Sequence, residues 1–307
     1  VEEVPFDERF LSDPIESGLE LILRGLEYLT DNPNPRRRKH AILDLCSGVE
    51  TLIRERLRQE HWSLVFEDPA GASKQAYDDG TFRAVRLEDA LDRLQGVCGL
   101  DVPPKWRWGL ESLARRRSRL EGRGLVESTP VLMAIAVAVV TPFVDSVPPG
   151  RLNGSLAALL DGIRNRLATL EGRINDAARR IAEKRPNEVL LACPNCREEG
   201  TLVVEDGPQC LYCGYSGPPE DVAAEYARDL FPGEERAPYR CPVCERNTLL
   251  DVGASDEDPW YKCFACGRSW GVDDLAFCSW CGQPFEPPED DPDEDLCRKC
   301  RGEEGEG

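Results

Sequence analysis

Histidine is nearly missing from this chain of 307 residues: there are two, His40 and His61. A reaction needing a general acid–base imidazole therefore has only these two positions to draw on. Lysine is also scarce, with 6 among the 38 basic residues, a bias that points to a GC-rich genome and not to a function. No long apolar run is present. The longest, Val131 to Val140, has 10 residues, well short of the roughly 20 that a membrane-crossing helix needs. The opening residues, Val1 to Asp7, are acidic and lack the apolar core of a secretory signal. These absences lead to the expectation of a soluble, cytoplasmic protein with no membrane contact.

What the chain does contain is unevenly distributed. Residues 1–186 hold 28 basic and 29 acidic residues, whereas 187–307 hold 10 and 28. Almost the whole net charge of -19 thus belongs to the carboxyl-terminal third. That third also holds 12 of the 14 cysteines, in six C-x-x-C pairs. Without an export signal, this spacing reads as metal binding rather than as a disulfide framework.

The pairs are Cys193/Cys196 with Cys210/Cys213, Cys241/Cys244 with Cys263/Cys266, and Cys278/Cys281 with Cys297/Cys300. The intervals between pairs are 13, 18 and 15 residues. Two residues between cysteines let a tight turn aim both sulfurs at one ion, and two such knuckles complete a tetrahedron with Zn–S of about 2.3 Å. Pro194 and Pro242 fix the first turn in two of the ribbons. Gly214, Gly267 and Gly282 follow a second cysteine, where a positive φ is often required. Short strands are expected at 201–204 and 248–250. Three structural zinc ions follow as the expected cofactors, with iron–sulfur clusters and redox-active thiols as the alternatives. Sequential ribbons are the expected pairing, with an interleaved cross-brace as the other arrangement. Four cysteine ligands leave no open coordination position, which indicates structural rather than catalytic metal.

The aromatic residues of this region, Trp260, Tyr261, Phe264, Trp270, Phe277 and Trp280, either fill the small ribbon cores or form a stacking platform for bases. The acidic charge opposes phosphate binding by the ribbons, and a protein-docking surface is the preferred reading. The stretch Glu286 to Asp295 reads as a solvated loop within the third ribbon.

The first part of the chain is patterned for helices. Asp13-Pro14 marks a helix start, and Ile15, Leu19, Ile22, Leu23, Leu26 and Leu29 follow at helical spacing. Further helices are expected over 36–60, 70–78, 87–98, 105–122, 131–145 and 155–184. The fold class is therefore an all-α helical bundle followed by three small four-cysteine zinc-ribbon modules with short β-hairpins. The expected domains are 1–150, a helical bundle; 151–186, a long helix closing or connecting it; and ribbons at 187–235, 236–272 and 273–307.

Two stretches resemble the HEPN-like helical domains of prokaryotic toxin, defence and RNA-processing proteins. One is Lys39 to Leu57, with Glu50 ahead of Leu52-Ile53-Arg54. The other is Leu113 to Gly122. A helical bundle followed by zinc ribbons is itself similar to bacterial proteins of that group. The resemblance implies a possible homodimer and, in catalytic members, a metal-independent ribonuclease. In this chain Arg117 matches the family arginine, Ser118 stands at the polar position, and Gly122 stands where the histidine is expected, so the catalytic motif is degenerate. Arg56 and His61 satisfy the bare spacing elsewhere, as a displaced pair or as a plain helix ending. The favoured function is a non-catalytic adaptor with a protein partner. The alternatives are a ribonuclease, using Arg56 and His61 with Arg117 as a further candidate, and an RNA-binding protein. RNA would be held by Arg36, Arg37, Arg38 and Lys39 together with Arg115, Arg116, Arg117 and Arg119. The lone Cys46 and Cys98 are expected as buried small hydrophobes.

Overall fold

A computed structural model describes residues 13–31, 34, 37–124, 127–145, 154–186, 188–204, 207–230, 237–253, 260–288 and 294–302. The chain divides into two compact units, Val1–Asp176 and Ala177–Gly307. The first is helical: α1 (Pro14–Thr30), α2 (Arg38–Glu60), α3 (Lys74–Asp78), α4 (Leu87–Gly96), α5 (Pro104–Gly122), α6 (Thr129–Asp145) and α7 (Ser155–Lys184), the unit boundary falling within α7.

The helix ends follow local chemistry. Asp13 Oδ1 accepts the Ile15 N–H at 2.7 Å, and Pro14 occupies the first turn of α1. At the other end Arg173 of α7 donates to the Leu29 and Thr30 carbonyls, at 3.2 and 2.8 Å. It thereby satisfies acceptors that the helix itself leaves open. Residues 70–73 fall short of the expected α3 because Ser73 caps it, its Oγ accepting from the Ala76 N–H at 3.1 Å. A 3₁₀ turn, Trp62–Val65, follows α2. Arg93 of α4 pins it by donating to the Leu64, Phe66 and Glu67 carbonyls.

Helix α1 lies along α2 at close range because glycines line the contact. A Cβ on Gly48 would sit 2.7 Å from the Gly18 carbonyl oxygen, and one on Gly25 would sit 2.7 Å from Leu45 Cγ. The core between these helices and α4 to α7 includes Ile22, Leu26, Ile53, Leu57, Leu91, Ile135, Ile163 and Leu170, all withdrawn from water. The apolar run 131–140 is buried on most sides, as expected of a helix inside a bundle. No helix among the described residues is long and apolar enough to cross a membrane.

Among its described residues the second unit carries three antiparallel sheets. They are β1 (Leu191–Ala192), β2 (Glu199–Val204) and β3 (Gly207–Cys210); β4 (Tyr239–Arg240), β5 (Asn247–Asp251), β6 (Tyr261–Cys263) and β7 (Ser269–Trp270); and β8 (Ala276–Phe277) with β9 (Pro284–Phe285). One helix, α8 (Pro219–Leu230), separates the first two sheets. The sequence pattern gives no expectation of it. Its buried Val222, Ala223, Tyr226 and Ala227 pack with Leu191, Val203, Leu250 and Phe264. Ribbons one and two thus share a core through this helix, and Arg246 clasps Glu220 with two bonds of 2.6 Å. Ribbon three joins the array through Trp270 Nε1, which donates to Glu286 Oε1 at 2.7 Å, and through Phe277, which meets the rings of Tyr239 and Tyr261.

Candidate metal centres

One local design recurs at the knuckles. In five of them the N–H of the first cysteine bonds the carbonyl five residues on: Cys193 to Glu198, Cys210 to Tyr215, Cys241 to Arg246, Cys263 to Arg268 and Cys278 to Gln283. Each of these five knuckles is therefore the tip of a hairpin-like turn. The residue after the second cysteine returns its own N–H to the first cysteine's carbonyl, as Gly214, Gly267 and Gly282 do at 2.8 to 3.0 Å. The chain then turns back, so that the next residue's carbonyl meets the first cysteine's N–H, through a positive φ, and the three glycines have φ of 77°, 74° and 70°, as expected. Two equivalent positions are not glycine. Arg197 and Glu245 adopt φ of 64° and 61° in the same turn, a conformation that costs an L-residue with a Cβ.

These hairpins bring the cysteines together in consecutive fours. Cys193, Cys196, Cys210 and Cys213 converge in one cluster, Cys241, Cys244, Cys263 and Cys266 in a second, and Cys278, Cys281, Cys297 and Cys300 in a third. Within each, all four sulfurs lie within 4.8 Å of one another. The grouping is sequential, not interleaved.

The spacing tests whether the thiols suit a metal. Sulfur pairs stand at 3.7 Å for Cys193–Cys213, 3.9 Å for Cys196–Cys210, 3.8 Å for Cys241–Cys266, 3.6 Å for Cys244–Cys263 and 3.8 Å for Cys281–Cys297. A tetrahedron with metal–sulfur bonds of about 2.3 Å has edges of about 3.8 Å. A disulfide would require about 2.05 Å. The donor set fits a tetrahedral, thiophilic ion of the zinc type, and it fills all four positions.

Second partners tune the sulfurs. Backbone N–H groups of Cys213, Val243 and Cys266 each point at a cysteine sulfur at 3.4 Å, and Thr248 Oγ1 lies 3.2 Å from Cys263 Sγ. Thr248 is fully buried; sequence reading gives it no role beyond a strand. Some thiols are held below the ordinary value. Hydrogen bonds from Cys193, Cys196 and Cys213 act on Cys210, and one from Cys241 acts on Cys263. Cys278 is lowered first by the backbone N–H of Cys297. The centres differ in exposure: three of the four cysteines in the first are buried, two in the second, one in the third.

The helical candidates are scattered. Arg56 is held by Glu60 at 3.2 Å. His61 Nδ1 accepts the Ser63 N–H at 3.3 Å and so caps the 3₁₀ turn. Among the described residues no bond or ion pair joins Arg56 to His61. The two stretches behind the HEPN-like resemblance do meet: Arg117 Nη2 lies 2.8 Å from Glu50 Oε1, and Arg54 reaches Glu50 Oε2 at 3.0 Å. Cys46 donates to Glu50 at 3.5 Å, and burial pushes its thiol up to about 12. Cys46 is the buried small residue expected, whereas Cys98 is only half-buried.

The second basic cluster is divided by its helix. Arg116 turns inward to Glu127 at 2.6 Å and Arg117 to Glu50, while Arg115 and Arg119 are exposed. Arg37 and Lys39 are exposed and Arg38 half-buried at the start of α2; Arg36 lies outside the described residues, as do positions 289–293 of the acidic loop.

No family model matches the chain, and no curated protein or solved structure matches it either.

Proposed function

We propose that this protein is a non-catalytic, zinc-dependent adaptor. In this reading the helical unit is HEPN-like and holds a partner or a second copy of itself, and the acidic ribbons dock another protein. The resemblance sets that work in a bacterial defence or toxin-type system that handles RNA.

One observation carries the reading: the groups that catalysis would need are engaged in structure. Each cysteine cluster offers four ligands to one ion, with no position left for a substrate. Arg117 is tied to Glu50, His61 caps a turn, and position 122 is glycine. Docking by the ribbons is supported by apolar side chains that face water around them. Trp280 is 84% exposed, and Val243 and Phe277 are also exposed, in a region where acidic residues far outnumber basic ones. Exposed aromatics of this kind are enriched at protein interfaces.

Incubating the purified, zinc-loaded protein with RNA tests the first half of the proposal, with His61→Ala alongside. No cleavage is expected. Robust cleavage that disappears in the His61→Ala protein would replace the adaptor by a ribonuclease. Pull-down from native lysate tests the second half: capture of a protein partner should be lost in Trp280→Ala while the zinc content is unchanged.

A second reading, RNA binding by the helical unit, is favoured by Arg37 and Lys39, which are exposed and have no ion-pair partner among the described residues. A gel shift that weakens with salt and is lost on replacing both by alanine would support it.

A further inference from the structure

The helical unit holds a partly open cavity of about 520 Å³ that the adaptor reading does not use. Its walls come from α1, α2, α4, α5, α6 and α7 and are apolar, with Leu52, Trp106 and Phe143 among them. Its volume lies within the roughly 300–1,000 Å³ range of small-molecule pockets, and an apolar body with a few converging polar groups is their usual makeup. Its polar lining groups among the described residues are Glu55, Arg56 and Gln59 on α2, and Asp101 on the segment entering α5.

Their charges are not balanced alike. Glu55 is buried and accepts two bonds of 2.6 Å from Arg58 and one from Gln59, so its charge is met. Arg56 is met by Glu60 through two contacts, at 3.2 and 3.3 Å. Asp101 has no hydrogen bond or ion pair among the described residues and is exposed. The unmatched charge among the polar lining groups is therefore negative. Leu100, 39% exposed, stands beside it and also lines the cavity.

The geometry points to a binding site for an amphipathic amine, its apolar body lying between Leu52, Trp106 and Phe143 and its ammonium group at Asp101. The apolar body supplies most of the affinity through area removed from water. The ammonium supplies a head-group preference of about fivefold, the size of an exposed ion pair.

Three probes with one chain and different heads test this: decylamine, decanol and decanoate, each kept monomeric. Their displacement of the neutral reporter N-phenyl-1-naphthylamine from the full-length, zinc-loaded protein is the readout. Decylamine should displace at the lowest concentration and decanoate at the highest. Asp101→Asn, a change at an exposed position, should bring the amine to the alcohol's level without altering the helical circular dichroism. Leu100→Trp, which narrows the cavity from its exposed side, should weaken all three at least tenfold. A reporter that does not bind, three heads that displace equally, decanoate as the tightest probe, or displacement unaffected by Leu100→Trp would each overturn the assignment.

Discussion

The helical and ribbon units keep water out by different means. In the first, side chains distant in sequence, such as Ile22, Leu57, Ile135 and Ile163, close on one another and are fully withdrawn from solvent. In the second, several of the most deeply buried residues are cysteines: Cys193, Cys196 and Cys263 have no exposed surface. Beside them, among the described residues, lie two small apolar clusters, one around Phe264 and one around Leu249. Strands of two to six residues in separate small sheets bury too little to hold their shape alone. One unit therefore depends on apolar area, which a chelator does not touch. With a zinc-type ion in each four-cysteine cluster, the other would depend on sulfur–metal bonds, each centre contributing about 10–16 kcal/mol to folding.

Chelation should separate the units most sharply. A strong zinc chelator is expected to unfold the ribbons while the helical circular dichroism is largely kept, and limited proteolysis would then cut after residue 187 but not within α1 to α7. Release should run from the third centre to the first, following cysteine exposure, which a colorimetric zinc indicator can time against the loss of protection. Ribbons that stay protected with no metal bound would break the comparison. Acid should act in the same direction. Protons compete with the ion for the thiolates, so ribbon stability present at neutral pH is lost as pH falls, and the helical transition should lag behind.

A smaller effect is expected on the other side. Gly48→Ala puts a methyl group 2.7 Å from the Gly18 carbonyl and should cost the helical unit about 1–3 kcal/mol. Calorimetry should show the helical transition moving down with zinc stoichiometry unchanged. The smallest effect is a gain. Arg197→Gly relieves a positive φ in a knuckle and should stabilise the first ribbon by about 1 kcal/mol, read as slower zinc loss from that centre alone. An equal change in helical stability would mean that the units do not respond separately.

Much of the metal region is legible in the sequence. A C-x-x-C pair is a local device, so its turn, its glycine at positive φ and its two ligands are set within six residues. Gly214, Gly267 and Gly282 announce this, whereas Arg197 and Glu245 hide the same turn behind side chains. Helix α8 escapes notice because Pro219, Glu220 and Asp221, together a plain helix start, sit where a spacer between cysteine pairs is expected. The basic run 115–119 looks continuous in sequence, yet a helix turns about 100° per residue and sends Arg116 and Arg117 inward to Glu127 and Glu50.

By itself, then, the sequence determined where most helices form and which cysteines pair into knuckles, since both depend on neighbours a few positions apart. Only the tertiary structure decided which knuckles share a centre, that ribbons one and two share a core, and that Glu50 meets Arg117. It also decided that a cavity opens beside Asp101. The reason is that each of these joins residues from separate elements, and the distance between such residues is set by packing, not by their spacing along the chain.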